Sequence, residues 1–80
     1  RPKEAIEILN SLLDINPYNL NAWHSLGEAY FVCEDFSKTM ETADFALAID
    51  EHDAQALLLK ANSLLQQQNL DEAHQLYLVQ

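Results

Sequence analysis

Glycine occurs once in these 80 residues and proline twice. Hairpin turns and flexible linkers draw heavily on those two residue types, so their scarcity excludes a β-rich fold and leaves an all-helical chain. Basic residues are almost as scarce, four against thirteen acidic ones, for a formal charge of −9. That balance is the reverse of a phosphate-binding footprint and argues against nucleic acid and anionic membranes as partners. The one cysteine, Cys33, allows no internal disulfide, which leaves stability to helix packing and points to a reducing compartment. No apolar run approaches the ~18 residues of a membrane span. Arg1-Pro2-Lys3-Glu4 has neither the h-region nor the cleavage pattern of a signal peptide, so a cytoplasmic location is expected. The length excludes two independent domains. The first residue is not methionine and falls inside a repeat, so the chain reads as a piece of something longer.

What is present is helical patterning. Ala5, Ile8, Leu9, Leu12 and Leu13 fall at i, i+3, i+4, i+7 and i+8, with Glu4, Glu7, Asn10 and Asp14 on the other side. Pro2 suits a first helical turn and Pro17 ends the helix. Asn19 is placed to cap a second helix whose apolar set is Ala22, Trp23, Leu26, Ala29 and Tyr30, and Asp53 to cap a fourth. Asn69 with Glu72 three residues on is a capping-box-like start for a fifth. Gly27, inside a helix at a cost of about 1 kcal/mol against alanine, implies a close helix crossing.

The chain also repeats itself at a spacing of 34. Leu13-Asp14-Ile15-Asn16-Pro17-Tyr18-Asn19 recurs as Leu47-Ala48-Ile49-Asp50-Glu51-His52-Asp53, Ala22 as Ala56, and Asp35-Phe36 as Asn69-Leu70. Glu4-Ala5-Ile6 recurs as Lys38-Thr39-Met40 and again as Glu72-Ala73-His74. Trp23, Leu26, Gly27 and Tyr30 match W-x2-L-G-x2-Y without gap or shift, and the chain thereby resembles the tetratricopeptide repeat (TPR) family. The family's A-x3-F element is kept in form by Ala73 and Tyr77, is weaker at Ala5 and Leu9, and is altered at Thr39 and Ala43. Asn16-Pro17-Tyr18 and Phe45-Ala46-Leu47-Ala48-Ile49-Asp50 look similar to TPR proteins of bacteria. The resemblance implies an all-α superhelix of about five helices in a single array: residues 1–18 the second helix of one repeat, 19–52 a complete repeat, and 53–80 the next.

Residues that carry chemistry in other proteins form no complete set here. His24 and Glu28, four apart on one helix, and Asp71 with His74 are partial metal pairs without the third and fourth ligands zinc requires. His52 stands between Asp50 and Asp53 in a turn, where an exposed histidine with no special role is expected. Cys33 lies beside Glu34 and Asp35, which disfavour a thiolate, and Ser11, Ser25, Ser37 and Ser63 stand in no elbow or glycine-bearing loop. The expectation is a non-enzymatic chain with no metal and no cofactor.

By resemblance, the first helices of successive repeats line a concave groove that takes a partner peptide or helix. The groove residues would be Asn21, His24, Ser25, Glu28 and Phe31 from the complete repeat and Gln55, Leu58, Asn62 and Leu65 from the next. A carboxylate clamp for chaperone tails would need lysine, arginine and asparagine at His24, Ser25, Glu28, Gln55, Leu59 and Asn62, and only Asn62 qualifies; Ser25 and Leu59 likewise break an asparagine ladder. The acidic charge instead favours a basic or amphipathic segment. The alternatives are self-assembly, as a homodimer through open repeat ends, and a substrate-presenting arm of an enzyme whose catalytic domain lies elsewhere. Three departures from the pattern are expected to weaken packing: Lys60 where Leu26 stands one repeat earlier, Thr39 in place of alanine, and Glu51 in place of proline.

Overall fold

Four helices in a row build the computed structural model, which describes the backbone of residues 1–79 and the side chains of residues 1–76. They are α1 (Pro2–Ile15), α2 (Leu20–Val32), α3 (Phe36–Ile49) and α4 (Ala54–Val79), with no strand among the described residues. The all-α class holds. The A-x3-F reading at Tyr77, and the open end it shares with Leu78 and Val79, fall on side chains outside those described.

The helix ends follow local chemistry. Pro2 opens α1, and Asn16 N–H closes it on Leu12 O at 2.9 Å before Pro17 interrupts the backbone donors. Asn19 Oδ1 accepts from Ala22 N–H at 3.1 Å, and Asp35 Oδ1 accepts from Lys38 N–H at 3.2 Å, so α2 and α3 both begin on side-chain caps. Helix α2 ends in a Schellman turn: Asp35 N–H reaches Tyr30 O and Glu34 N–H reaches Phe31 O, both at 3.0 Å. Glu34 adopts φ 62° there, a left-handed position usually filled by glycine.

The turns at 16–19 and 50–53 are copies of each other. Asn19 N–H bonds Asn16 O at 3.2 Å and Asp53 N–H bonds Asp50 O at 3.1 Å, while the side chains of Asn16 and Asp50 each accept from the N–H two residues on at 3.1 Å. The turn is therefore intact without proline, and the loosening expected at Glu51 is not seen. Proline only presets a conformation that the Asx bond also selects.

Between α2 and α3 the chain doubles back, but at the equivalent place one repeat later it runs straight on. Residues 54–79 form one helix of 26 residues, about 39 Å long at 1.5 Å per residue. A separate fifth helix from Asn69 is absent, and Glu72 receives Gln68 Nε2–H at 3.3 Å, one helical turn away, instead of closing a capping box. Gln66-Gln67-Gln68 are good helix formers, residues 68–76 bury nothing that would reward a bend, and none of them is a glycine.

Two apolar clusters hold the helices. One joins Leu13, Ala22 and Leu26, with Ile6, Leu9, Trp23 and Tyr30 against it; the other joins Ala43, Ala46 and Ala56, with Leu20, Trp23, Leu47 and Leu59. On α1 the packed stripe is Ile6, Leu9 and Leu13, while Ile8 and Leu12 of the expected stripe face outward. Small residues set the crossings. A Cβ at Gly27 would lie 3.1 Å from Leu59 Cδ1 and 3.6 Å from Thr42 Cγ2, so the glycine admits both α3 and α4 against α2. Thr39 is fully buried, its hydroxyl donating to Asp35 O at 2.9 Å, so its extra bulk sits within the core rather than prising it apart. The Lys60 ammonium leaves the packed surface and donates to Asp44 Oδ1 at 2.7 Å across α3 and α4.

Candidate functional site

The residues read from sequence as groove residues form two matched sets, Asn21, His24, Glu28 and Phe31 on α2 and, each 34 residues later, Gln55, Leu58, Asn62 and Leu65 on α4. Helices α2 and α4 touch directly, as α3 packs against both. The first turn of α4 therefore lies beside the middle of α2.

Two polar links cross that seam. Gln55 Nε2–H donates to Glu28 Oε1 at 3.0 Å. His24 Nε2 meets Asp53 Oδ2 in a close hydrogen-bonding contact, in which the imidazole N–H donates because a carboxylate only accepts. The side chains of His24 and Asp53 are 12% and 8% exposed, so this link is largely shut away from water. Asp53 serves twice: its other oxygen accepts from Gln55 N–H at 3.2 Å at the start of α4.

The nine residues thus divide. His24 is turned into the seam. Phe31 is half-buried with its ring edge-on to Phe36, centroids 5.3 Å apart and planes at 66°, so it anchors α3 to α2. Asn21, Ser25, Glu28, Gln55, Leu58, Asn62 and Leu65 are exposed. Leu58 and Leu65, seven apart, present an aliphatic stripe two helical turns long beside the amides and the Glu28 carboxylate.

The partial metal pairs are not drawn together. His24 faces Asp53 and Glu28 faces Gln55, while Asp71 and His74 stand exposed. Among the described residues no three of histidine, cysteine, aspartate and glutamate are placed to hold one ion. His52 is exposed with Nε2 3.4 Å from Glu51 Oε1, so the histidine that engages Asp53 is His24 rather than its neighbour in the turn. Sequence reasoning missed that pair because 29 residues separate its members; the signal that could have found it is the repeat register, which sets the cap of one first helix against the body of the preceding one. Cys33 is a free, exposed thiol. No helix is long and apolar enough to cross a membrane among the described residues.

A family model described as anaphase-promoting complex, cyclosome, subunit 3 matches residues 2–79. The chain is 36% identical over 69 residues to "Anaphase-promoting complex subunit 7" of Dictyostelium discoideum, a match covering 86% of the chain and 11% of that relative. The chain thus spans about a ninth of the curated relative it matches. The bacterial likeness noted in the turn sequences has no counterpart in this match. No solved structure matches the chain.

Proposed function

The chain belongs to the family of anaphase-promoting complex, cyclosome, subunit 3, and from that premise we propose that it is a non-enzymatic segment of a TPR-type scaffold that holds a partner polypeptide on the seam of α2 and α4. Its protein-interaction character goes with the family. The finer reading rests on one observation: seven of the nine residues stand exposed on adjacent first helices, while His24 ties α2 to the start of α4 and Phe31 packs on the start of α3. The partner chemistry follows from what is free. Leu58 and Leu65 take an aliphatic stripe, Asn21, Ser25 and Asn62 bond backbone or amide groups, and Glu28 favours a basic residue. The repeat boundaries at 1–18, 19–52 and 53–80, and a cytoplasmic location, belong to the same reading. By its name the Dictyostelium relative is a subunit of a complex, and we extend that role to the full-length protein from which this chain comes.

The test uses exposed residues only. Leu58→Glu, Asn62→Ala and Leu65→Glu, combined in the full-length protein, are expected to lose neighbouring subunits on affinity purification while far-UV circular dichroism of the isolated chain stays unchanged. Undiminished recovery of every neighbour would remove the α2 and α4 seam as the binding face.

A second reading, self-association, is favoured by the outer half of α4, where Leu64, Leu70 and Leu76 are more than half exposed. A molar mass above 9.1 kDa in light scattering, reverting to monomer with Leu70→Glu, would support it. A monomer at all concentrations would sink it.

A further inference from the structure

The outer half of α4 carries, without using them, the signals that end α2 and start α3. Moved on by 34 residues, the edge-on pair Phe31 and Phe36 falls on Leu65 and Leu70, the left-handed Glu34 on Gln68, and the cap Asp35 on Asn69. The close approach of Gly27 to Thr42 falls on Ala61 and Leu76. Each place holds a residue fit for the role: two leucines for the aromatic pair, an asparagine for the cap, and a small alanine at the crossing. Asp71 and Glu72 gain from exposed N–H groups only in a first helical turn, which the straight helix denies them. The straight form is also lightly held. Past Gln66 its side-chain bonds to other helices, among the described residues, reduce to Gln67 Nε2–H on Ser37 Oγ at 3.4 Å. Leu65, Leu70 and Leu76 stay more than half exposed. Asp71 shares the lining of a space of about 410 Å³ with Glu34 and Asp35, and none of the three has an ion-pair partner among the described residues.

We infer that α4 is a two-state element hinged at Gln67-Gln68-Asn69, straight in one state and folded back as a hairpin in the other, and that the hinge gates the seam of α2 and α4. Continuity through three glutamines favours the straight state. The Asn69 cap, the acidic first turn after it and the burial of Leu65 against Leu70 favour the hairpin. The consequence for the seam rests on the binding reading above. Folding back turns Leu65 toward Leu70, as Phe31 is turned toward Phe36, so the aliphatic stripe of Leu58 and Leu65 exists only while α4 is straight. Whatever engages Leu65 therefore holds α4 straight, and the hairpin withdraws half of the stripe.

Nitroxide labels on Asn62→Cys and Gln75→Cys, both exposed positions, in a Cys33→Ser background report the state by their spin–spin distance. Along a straight helix the two backbones stand about 20 Å apart. Their counterparts one repeat earlier, Glu28 and Glu41, lie on packed helices whose axes are about 10 Å apart. Both distances should be present in solution. Gln68→Gly, which frees the left-handed position, should raise the short-distance fraction about fivefold. Asn69→Ala, which removes the cap and is the better helix former, should lower it about fivefold. Leu65→Glu should lower it as well, because the hairpin would bury the charge. Trp23 emission should not move in any of these variants, which marks the body of α1 to α3 as intact. A single long distance in every variant, Gln68→Gly included, would overturn the hinge, as would a single short one. A short distance that vanishes when labelled chain is diluted with unlabelled chain would assign Leu70 to a second copy and overturn it too. A short fraction indifferent to Leu65→Glu would break the link to the seam. No partner enters the measurement, so the hinge and the binding reading fail separately.

Discussion

Replacing Asp53 by alanine removes two interactions held by one side chain, and the structure allows their sizes to be told apart. The first is the bond from Gln55 N–H to Oδ1 that starts α4, where loss of a side-chain cap costs about 1 kcal/mol. The second is the contact of Oδ2 with His24, whose donor would be left in a mostly buried seam at a cost of roughly 1–3 kcal/mol. Together about 2–4 kcal/mol should be lost, a large part of the ~4–12 kcal/mol that a chain of this size commands. In urea, with a slope near ~1 kcal/mol/M, the midpoint should fall by roughly 2 M or more, followed in parallel by Trp23 fluorescence and far-UV circular dichroism. Asp53→Asn keeps an oxygen for the cap and a neutral partner for the imidazole, and should cost about 1 kcal/mol or less. His24→Ala should cost only the second component, and in the double variant His24→Ala, Asp53→Ala the effects should fall short of additive by about 1–2 kcal/mol. Strict additivity, or an asparagine as damaging as the alanine, would refute the assignment of two separable roles to Asp53.

Other perturbations follow from single residues. Glu34→Gly relieves a left-handed backbone position and, after the entropy of a freer unfolded chain, should stabilise by about 0.5–1 kcal/mol; destabilisation in urea melts would mean that the Schellman turn does not form as described. Ser63 is fully buried with no partner for its hydroxyl among the described residues, so Ser63→Ala should be neutral or stabilising by up to about 1 kcal/mol, and a loss of that size would reveal a bonded hydroxyl. At Gly27 a methyl would meet the mobile end of Leu59 at 3.1 Å, while alanine raises helix propensity by about 1 kcal/mol. Gly27→Ala should therefore lie within about 1 kcal/mol of the parent, whereas Gly27→Val should cost roughly 2 kcal/mol or more by parting α2 from α3 and α4, both read from melting midpoints.

Much of the architecture was legible because it is written locally. Asn19 and Asp53 are caps of ordinary type, Gly27 announces a crossing, and the spacing of 34 places the two Asx-bonded turns. The length of α4 was not legible in the same way. Asn69 and Glu72 have the composition of a start signal, but a cap operates only where a helix has already been broken, and nothing around Gln66-Gln67-Gln68 breaks it. The site was half legible. The repeat register found the seam and most of its open residues, whereas the withdrawal of His24 and Phe31 depends on Asp53 and Phe36, contacts between helices that periodicity within one helix does not contain.

Trp23 packs against both apolar clusters, the one closed by α1 and the one closed by α3 and α4. In a linear array, stability divides into what each unit contributes alone and what each junction adds. A side chain shared by two clusters belongs wholly to the junction. Its loss would uncouple the melting of α1 from that of α3 and α4, so the smallest cooperative block of this chain is wider than one helical hairpin.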